Sequence, residues 1–258
     1  MDQTRHASRR ATFRAMHASG CFVLPNPWDI GSARRLQRLG FPAIASTSSG
    51  FASSLGREDY SVTRDEVLAH LRLLCEATEL PVNADFENAF ADRPEEVGVN
   101  VALAVETGVA GLSVEDRSGN SVFAIGDAVL RVAAARAAID RTGADVILVA
   151  RSEGMAMGQQ GLDETIERLR QFAEAGADCL YAIGLERLED VAAVVAAVAP
   201  KPLNVLRRPG LGTADLARVG VRRVSVGGAL ARAAWAGFDK AAASLAEEAS
   251  ALRTGVRG

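Results

Sequence analysis

What the chain has little of narrows the field first. Its 258 residues include two lysines, Lys201 and Lys240, three histidines, His6, His17 and His70, and three cysteines, Cys21, Cys75 and Cys179. Both lysines fall where the base or the outer helices of a domain are expected, which argues against a Schiff-base enzyme, whose amine must sit in the reaction pocket. The histidines lie in helical patterns and leave neither a zinc-hydrolase ligand set nor a histidine general base. The cysteines are far apart and lack metal-type spacing, so a reducing, cytoplasmic setting is expected rather than a disulfide framework. No dense Lys/Arg cluster is interleaved with aromatics, and the net charge is −3, which argues against a nucleic-acid or anionic-membrane surface. No apolar run is long enough to span a bilayer, and the polar stretch from Met1 to Arg14 has no signal-peptide core. A small molecule is the expected partner.

What is present is a repeated phrase. At 48% hydrophobic and 24% charged residues, the chain can bury one large core, and a single domain over residues 1–258 is expected. A polar helix over residues 4–18 leads in. Glu106-Thr-Gly108 precedes the apolar run 111–115, Arg141-Thr-Gly143 precedes 146–150, Glu174-Ala-Gly176 precedes 179–183, and Arg218-Val-Gly220 precedes 223–226. Each is a helix end with a glycine, a short turn and a β-rich run. Runs at 21–24, 43–47, 82–84 and 203–206 bring the strands to eight, each followed by a helical segment. Asp29 and the pair Thr63 and Glu66 are expected to cap two of the helices, with a Ser/Gly loop over residues 48–59 between them. Strict alternation predicts a parallel sheet, and eight units in this length predict a closed (β/α)8 TIM barrel. No Gly-x-Gly-x-x-Gly follows the first strand, which weighs against a dinucleotide fold.

In a barrel, active sites gather where the strands end. There the first strand offers Asn26, Trp28 and Asp29, and the second Thr47, Ser48, Ser49 and Gly50. The third offers Asp85 and Glu87, the fourth Glu115 and Asp116, the fifth Arg151 and Glu153, the seventh Asn204 and Arg207, and the eighth Gly227 and Gly228. Asp29 reads as a cap, and Glu153 as a partner for Arg151. Asp85 and Glu87, one residue apart, point the same way in a strand and repel unless a cation lies between them. Hard oxygen ligands of this kind suit Mg²⁺ or Mn²⁺.

Asn26-Pro-Trp-Asp29, Ser48-Ser-Gly50 leading to Leu55-Gly56 and Asp59, Ala84-Asp-Phe-Glu-Asn88, Val114-Glu-Asp116, Val149-Ala-Arg151 and Pro202-Leu-Asn204 resemble the isocitrate lyase/phosphoenolpyruvate mutase superfamily. The resemblance runs from about Cys21 to the helix near Ala246 and keeps the motifs in order. It implies a barrel assembled as a homo-oligomer, a tetramer or dimer, with the last helix exchanged between neighbours. It also implies Mg²⁺-assisted chemistry beside the carboxylate of an oxo or hydroxy acid. Asp85 would then bind metal most directly, with Glu87 and Glu115 ordering its waters. Ser49, Gly50, Asn204 and Trp28 would contact the substrate, Arg151 would clamp its carboxylate, and Asp59 and Glu115 would support catalysis.

Two departures bear on the reaction. The superfamily's lyases carry a Lys-Lys-Cys-Gly-His loop after the fourth strand, whereas residues 117–124 here contain no Cys, Lys or His. The glycine-rich stretch expected after the third strand reads Ala89-Phe-Ala-Asp92, which is bulkier and less free to adopt positive φ. Decarboxylation or hydrolysis of an oxaloacetate-like acid through an enolate suits the missing loop acid better than isocitrate-type cleavage, since an enolate can take its proton from water. Phosphorus–carbon bond chemistry is the alternative within the superfamily. A phosphate-binding barrel using Gly227-Gly228 and Arg207-Arg208 and a carboxylate-binding protein without turnover are the alternatives outside it.

Overall fold

The computed structural model describes residues 3–255, so the span 1–258 expected for one domain runs past the described residues at both ends. Helix α1 (Gln3–Ala18) leads into β1 (Phe22–Leu24), followed by α2 (Ile30–Arg38), β2 (Ile44–Ala45), α3 (Ser48–Ser54), α4 (Arg64–Ala77) and β3 (Val82–Asp85). Next come α5 (Pro94–Glu106), β4 (Gly111–Glu115), a hairpin of β5 (Arg117–Ser118) and β6 (Ser121–Val122), α6 (Ile125–Thr142) and β7 (Ile147–Ser152). Then follow α7 (Leu162–Glu174), β8 (Cys179–Ala182), α8 (Leu188–Val198), β9 (Leu203–Leu206), α9 (Thr213–Arg218), β10 (Arg223–Ser225) and α10 (Ala229–Gly255).

Eight strands form one parallel sheet in the order β1-β10-β9-β8-β7-β4-β3-β2. Its two edges are joined where the Ala45 N–H donates to the Pro25 carbonyl at 3.0 Å and Asn26 Nδ2 donates to the Ser46 carbonyl at 2.9 Å. The alternation read from the sequence is thus a (β/α)8 barrel. Asp29 caps α2, its Oδ1 accepting from the Ser32 N–H at 2.6 Å, and Thr63 with Glu66 closes a capping box on α4. Gly143 ends α6 at φ 67°, in the left-handed region that side chains resist.

Two expectations are corrected. The segment 48–59 is not all loop, because its first seven residues form α3. Serine is a poor helix former by itself, yet here Thr47 accepts from the Gly50 N–H and Asp85 Oδ2 accepts from the Ser48 N–H at 3.0 Å, satisfying donors that the first turn leaves open. The fifth barrel strand also runs past Ala150 to Ser152, so Arg151 lies within the sheet, in register with Glu115 and Tyr181.

The apolar side chains divide into two cores. The larger lies between sheet and helices, with Leu71, Leu74, Leu112, Ile139, Leu148 and Phe172 fully buried or nearly so. The smaller fills the lower barrel, where Phe13 of α1 packs with Leu24, Ala110, Ile147, Val149 and Cys179. Helix α1 closes that end: Phe13 meets His17 and Phe22 edge-on, Arg10 donates to the Val105 and Val109 carbonyls, and Arg9 donates to those of Cys75, Thr78 and Glu79. A side chain at Gly111 would put its Cβ 2.7 Å from the Phe13 ring, so this position admits only glycine while the plug is seated. No helix among the described residues is long and apolar enough to cross a membrane.

Phe13 is 0% exposed, and truncating a buried phenylalanine typically costs about 3–5 kcal/mol. Phe13→Ala is therefore expected to lower the unfolding free energy by that order in urea denaturation. A loss below about 1 kcal/mol, the range of a surface change, would mean that α1 does not plug the barrel.

Candidate active site

The open end of the barrel holds a cavity of about 220 Å³ lined by Ser49, Asp59, Asp85, Arg151, Tyr181 and Arg223, among others. That is small beside the roughly 300–1,000 Å³ of pockets for drug-sized ligands, and it suits a compact acid. Arg151 occupies its wall. Its Nη1 lies 2.8 Å from Glu115 Oε1 and 3.2 Å from Asp85 Oδ1, its Nε donates to Glu153, and its guanidinium stands 5.3 Å from the centre of the Tyr181 ring. Burial works against this charge, but Glu115, Glu153 and Asp85 hold the Arg151 pKa well above its ordinary value. Asp85 is fixed from the other side by the Ser48 N–H and hydroxyl, at 3.0 and 3.1 Å.

The remaining carboxylates repel one another. Burial, then the charges of Asp85 and Asp59, push Glu87 up to about 8. Burial likewise raises Glu115, against the pull of Arg151, and it raises Asp59 with help from Asp85. Glu87 Oε1 is buried and accepts no hydrogen bond. An orphaned carboxylate oxygen among mutually raised acids is what a hydrated cation would relieve, so the donor set fits a divalent ion with oxygen ligands. Among the described residues no three acidic, Cys or His side chains come close enough to chelate an ion together. A fit therefore requires one direct carboxylate, with the others reached through water.

The structure sorts the residues singled out in the sequence. Ser49, Asp59, Asp85 and Arg151 line the cavity. Glu115 lies beneath Arg151, 1% exposed, its Oε2 accepting from the Tyr60 hydroxyl at 3.0 Å. Glu87 faces a neighbouring pocket shared with Tyr60 and Arg117. Trp28 and Gly50 stand behind the wall: a Cβ on Gly50 would lie 3.0 Å from Trp28 Cβ and 2.6 Å from Thr47 Cγ2. Asn204 is not past the end of its strand but inside it, fully buried and bonded to Arg223 and Ser225. Asp116, paired with Glu115 in the sequence, turns away to Arg168 and the Glu153 N–H. Gly227 and Gly228, weighed as a phosphate cradle, line the cavity, but the Val226 and Gly227 N–H groups both donate to Asn26 Oδ1, at 3.0 and 2.9 Å, and so are already satisfied. Arg208 reaches outward to Glu186. Sequence reasoning missed Tyr60 and Arg223, which no motif marks.

The loop after β3 is also corrected. Without glycines it nevertheless takes positive φ at three residues, Glu87 (46°), Ala89 (60°) and Phe90 (55°). Side chains resist that conformation, and it persists only where surroundings over-determine it. Here Asn100 Nδ2 donates to the Ala89 carbonyl at 2.8 Å, and the buried Arg131 donates to the carbonyls of Asn88, Ala91 and Asp92. Arg131 in turn lies 4.1 Å over the Phe123 ring, at the foot of the β5–β6 hairpin.

The family model described as phosphoenolpyruvate phosphomutase matches residues 13–246. The chain belongs to this enzyme family. A provisionally described lyase/mutase from Burkholderia cenocepacia J2315 superposes with a TM-score of 0.91 at 43% identity, covering 94% of this chain and 89% of its own. An uncharacterised protein of Mycobacterium tuberculosis is 34% identical over 219 residues, 84% of this chain and 81% of its own length. An oxaloacetate acetylhydrolase bound to its product oxalate superposes with a TM-score of 0.85 at 26% identity, covering 91% of this chain and 85% of its own. The family's reactions vary: oxaloacetate decarboxylase of Pseudomonas putida is 28% identical over 87% of this chain and 80% of its own. The 2-methylisocitrate lyase of Escherichia coli is 32% identical over 56% of this chain and 51% of its own.

The raised carboxyl groups set a pH dependence. Glu87 holds its proton up to about 8 in the fold but only to its ordinary 4.5 in the unfolded chain. The unfolded state thus releases that proton first, and metal-free stability declines as pH rises from 4.5 towards 8. Glu87→Gln removes this contribution, so thermal melts in EDTA should show the variant gaining on the wild type more at pH 8 than at pH 5. A difference independent of pH would show that Glu87 is not held protonated.

Proposed function

We propose that this enzyme uses a divalent ion, Mg²⁺ or Mn²⁺, to cleave a carbon–carbon bond in a small 2-oxo or 2-hydroxy dicarboxylate of the oxaloacetate type. The observation that carries the reading is Arg151, a permanent cation set among three carboxylates in the wall of a small cavity. Its planar fork suits one carboxylate of the substrate, and the Ser49 hydroxyl on the same cavity supplies a further donor. Asp85 would hold the ion directly, and Glu87 and Glu115 would order its waters. Bound there, the ion supplies Lewis-acid polarisation of the substrate's oxo or hydroxyl oxygen.

Arg151 then stabilises negative charge as the bond to the departing fragment breaks, a preorganised electrostatic contribution of the kind that usually dominates catalysis. The hairpin above the site offers no acid. Arg117 stacks 4.0 Å over the Tyr60 ring, and the Tyr60 phenol is pushed up by burial and then by Glu115, which makes it a poor proton donor. General acid help is typically worth about 10²- to 10⁴-fold, so a reaction whose enolate is protonated by water fits better than one needing a shielded acid. The likeness to oxaloacetate decarboxylase over most of both chains supports the same substrate class.

Purified protein with Mg²⁺ is expected to turn over oxaloacetate well above the metal-catalysed background, with little or no turnover of isocitrate or 2-methylisocitrate. Efficient release of glyoxylate or pyruvate from the latter acids would mean that another residue supplies the proton. Asp85→Ala should abolish Mg²⁺ binding in calorimetry while the barrel stays folded. Arg151→Lys, which keeps the charge but loses the fork, should weaken oxalate binding by about 10-fold or more. Unchanged oxalate affinity would move the clamp elsewhere.

A further inference from the structure

The cavity has a floor as well as a wall, and the floor carries a charge that the proposed chemistry leaves unused. Arg223 of β10 is 2% exposed and lines the cavity. Its Nε donates to Asn204 Oδ1 at 2.8 Å and its Nη1 to Asn83 Oδ1 at 3.2 Å, both neutral amides. Among the described residues no Asp or Glu pairs with it, and its Nη2 donates to no protein oxygen. The contrast with Arg131 is instructive: that buried guanidinium spends its donors on three backbone carbonyls and closes on itself. Arg223 is held by two amides and left facing the space.

Burial draws the Arg223 pKa down, and nearby acidic groups, Asp85 among them, offset this only in part. Its field also reaches His17 on the α1 plug, whose pKa is pushed to about 3 by burial and then by Arg223. A buried charge without a counter-ion is costly, and side chains of this kind are retained where something else completes them. The spacing says what that is. Asn83 and Asp85 share one face of β3, and two residues of strand rise separate them by about 7 Å. The Arg223 head, anchored at Asn83, therefore lies one layer below the level where Arg151 meets Asp85. An extended four-carbon diacid spans such an interval, with the hydroxyls of Ser113, Tyr181 and Ser225 along the way.

We propose that Arg223 receives the second carboxylate of a diacid whose first is held at Arg151, and so sets the enzyme's preference for diacids over monoacids. This rests on the reading of the site as one for oxo or hydroxy acids. Asn83 and Asn204 orient the guanidinium without neutralising it, which leaves its charge to the ligand.

Malate and lactate differ by the terminal carboxylate and are the probes of choice, titrated into Mg²⁺-loaded full-length protein by calorimetry. The wild type is expected to favour malate by about 10-fold or more, the scale of one charged hydrogen-bonded pair. Arg223→Met should bring that preference to near unity while lactate affinity changes by less than about twofold, and Arg223→Lys should keep part of it. Equal weakening of both acids, or a preference that survives Arg223→Met, would overturn the inference. Should the Met variant melt early, the wild type alone still decides against it if malate and lactate bind equally. A malate preference that depends on Arg223 in a protein that does not turn over oxaloacetate would sink the proposed reaction and leave this inference standing. Normal turnover with a preference indifferent to Arg223 would do the reverse.

Discussion

A guanidinium in the wall of a barrel must be surrounded by opposite charge or it will not stay there, and the open end of this protein is organised around that requirement at Arg151. Glu115 and Asp85 come from the two strands that precede β7 in the sheet, and Glu153 comes from just beyond β7 itself. Three acids for one base leave the centre negative. That excess suits the divalent ion proposed there, and it is why burial alone does not account for the raised Glu87 and Asp59. With one cation in place, the proposed second cation and a carboxylate ligand would complete the electrostatic balance.

The surroundings of that set are rigid for a stated reason. The three left-handed residues after β3 would relax if they were free, and it is Arg131 and Asn100, both buried and neither a candidate for chemistry, that prevent this. The strain thus sits at and beside Glu87, held by contacts that over-determine it. Arg131 also stacks on Phe123, so the hairpin over the site and the loop beneath it share one anchor.

Much of the architecture was legible because periodicity and punctuation are local signals. The eight runs and the helix-ending glycines predicted the barrel, and Asp29 and the Thr63/Glu66 pair capped the helices where read. What was illegible depended on contacts across the barrel. Helix α3 could not be read from Ser48-Ser-Gly50, since an acid from the next strand satisfies its first turn. The pairs Asp85/Glu87 and Glu115/Asp116 looked equivalent as sequence, yet only Asp85 lines the cavity and Asp116 serves Arg168. Asn204 sits too deep to be a rim residue. Arg223 carries no motif at all: an arginine at the start of a strand looks like a surface residue until the strand is known to turn it inwards.

The α1 plug has a consequence for the order of events. With Phe13 wedged into the lower barrel, the cavity is a vessel with one opening, and a reaction that makes two fragments from one must release both through it. Under the proposed cleavage, the fragment nearer the opening would diffuse first, while one held by the guanidinium in the wall or floor would stay. The slower departure would then pace turnover, and the fragment still seated would compete with the next substrate.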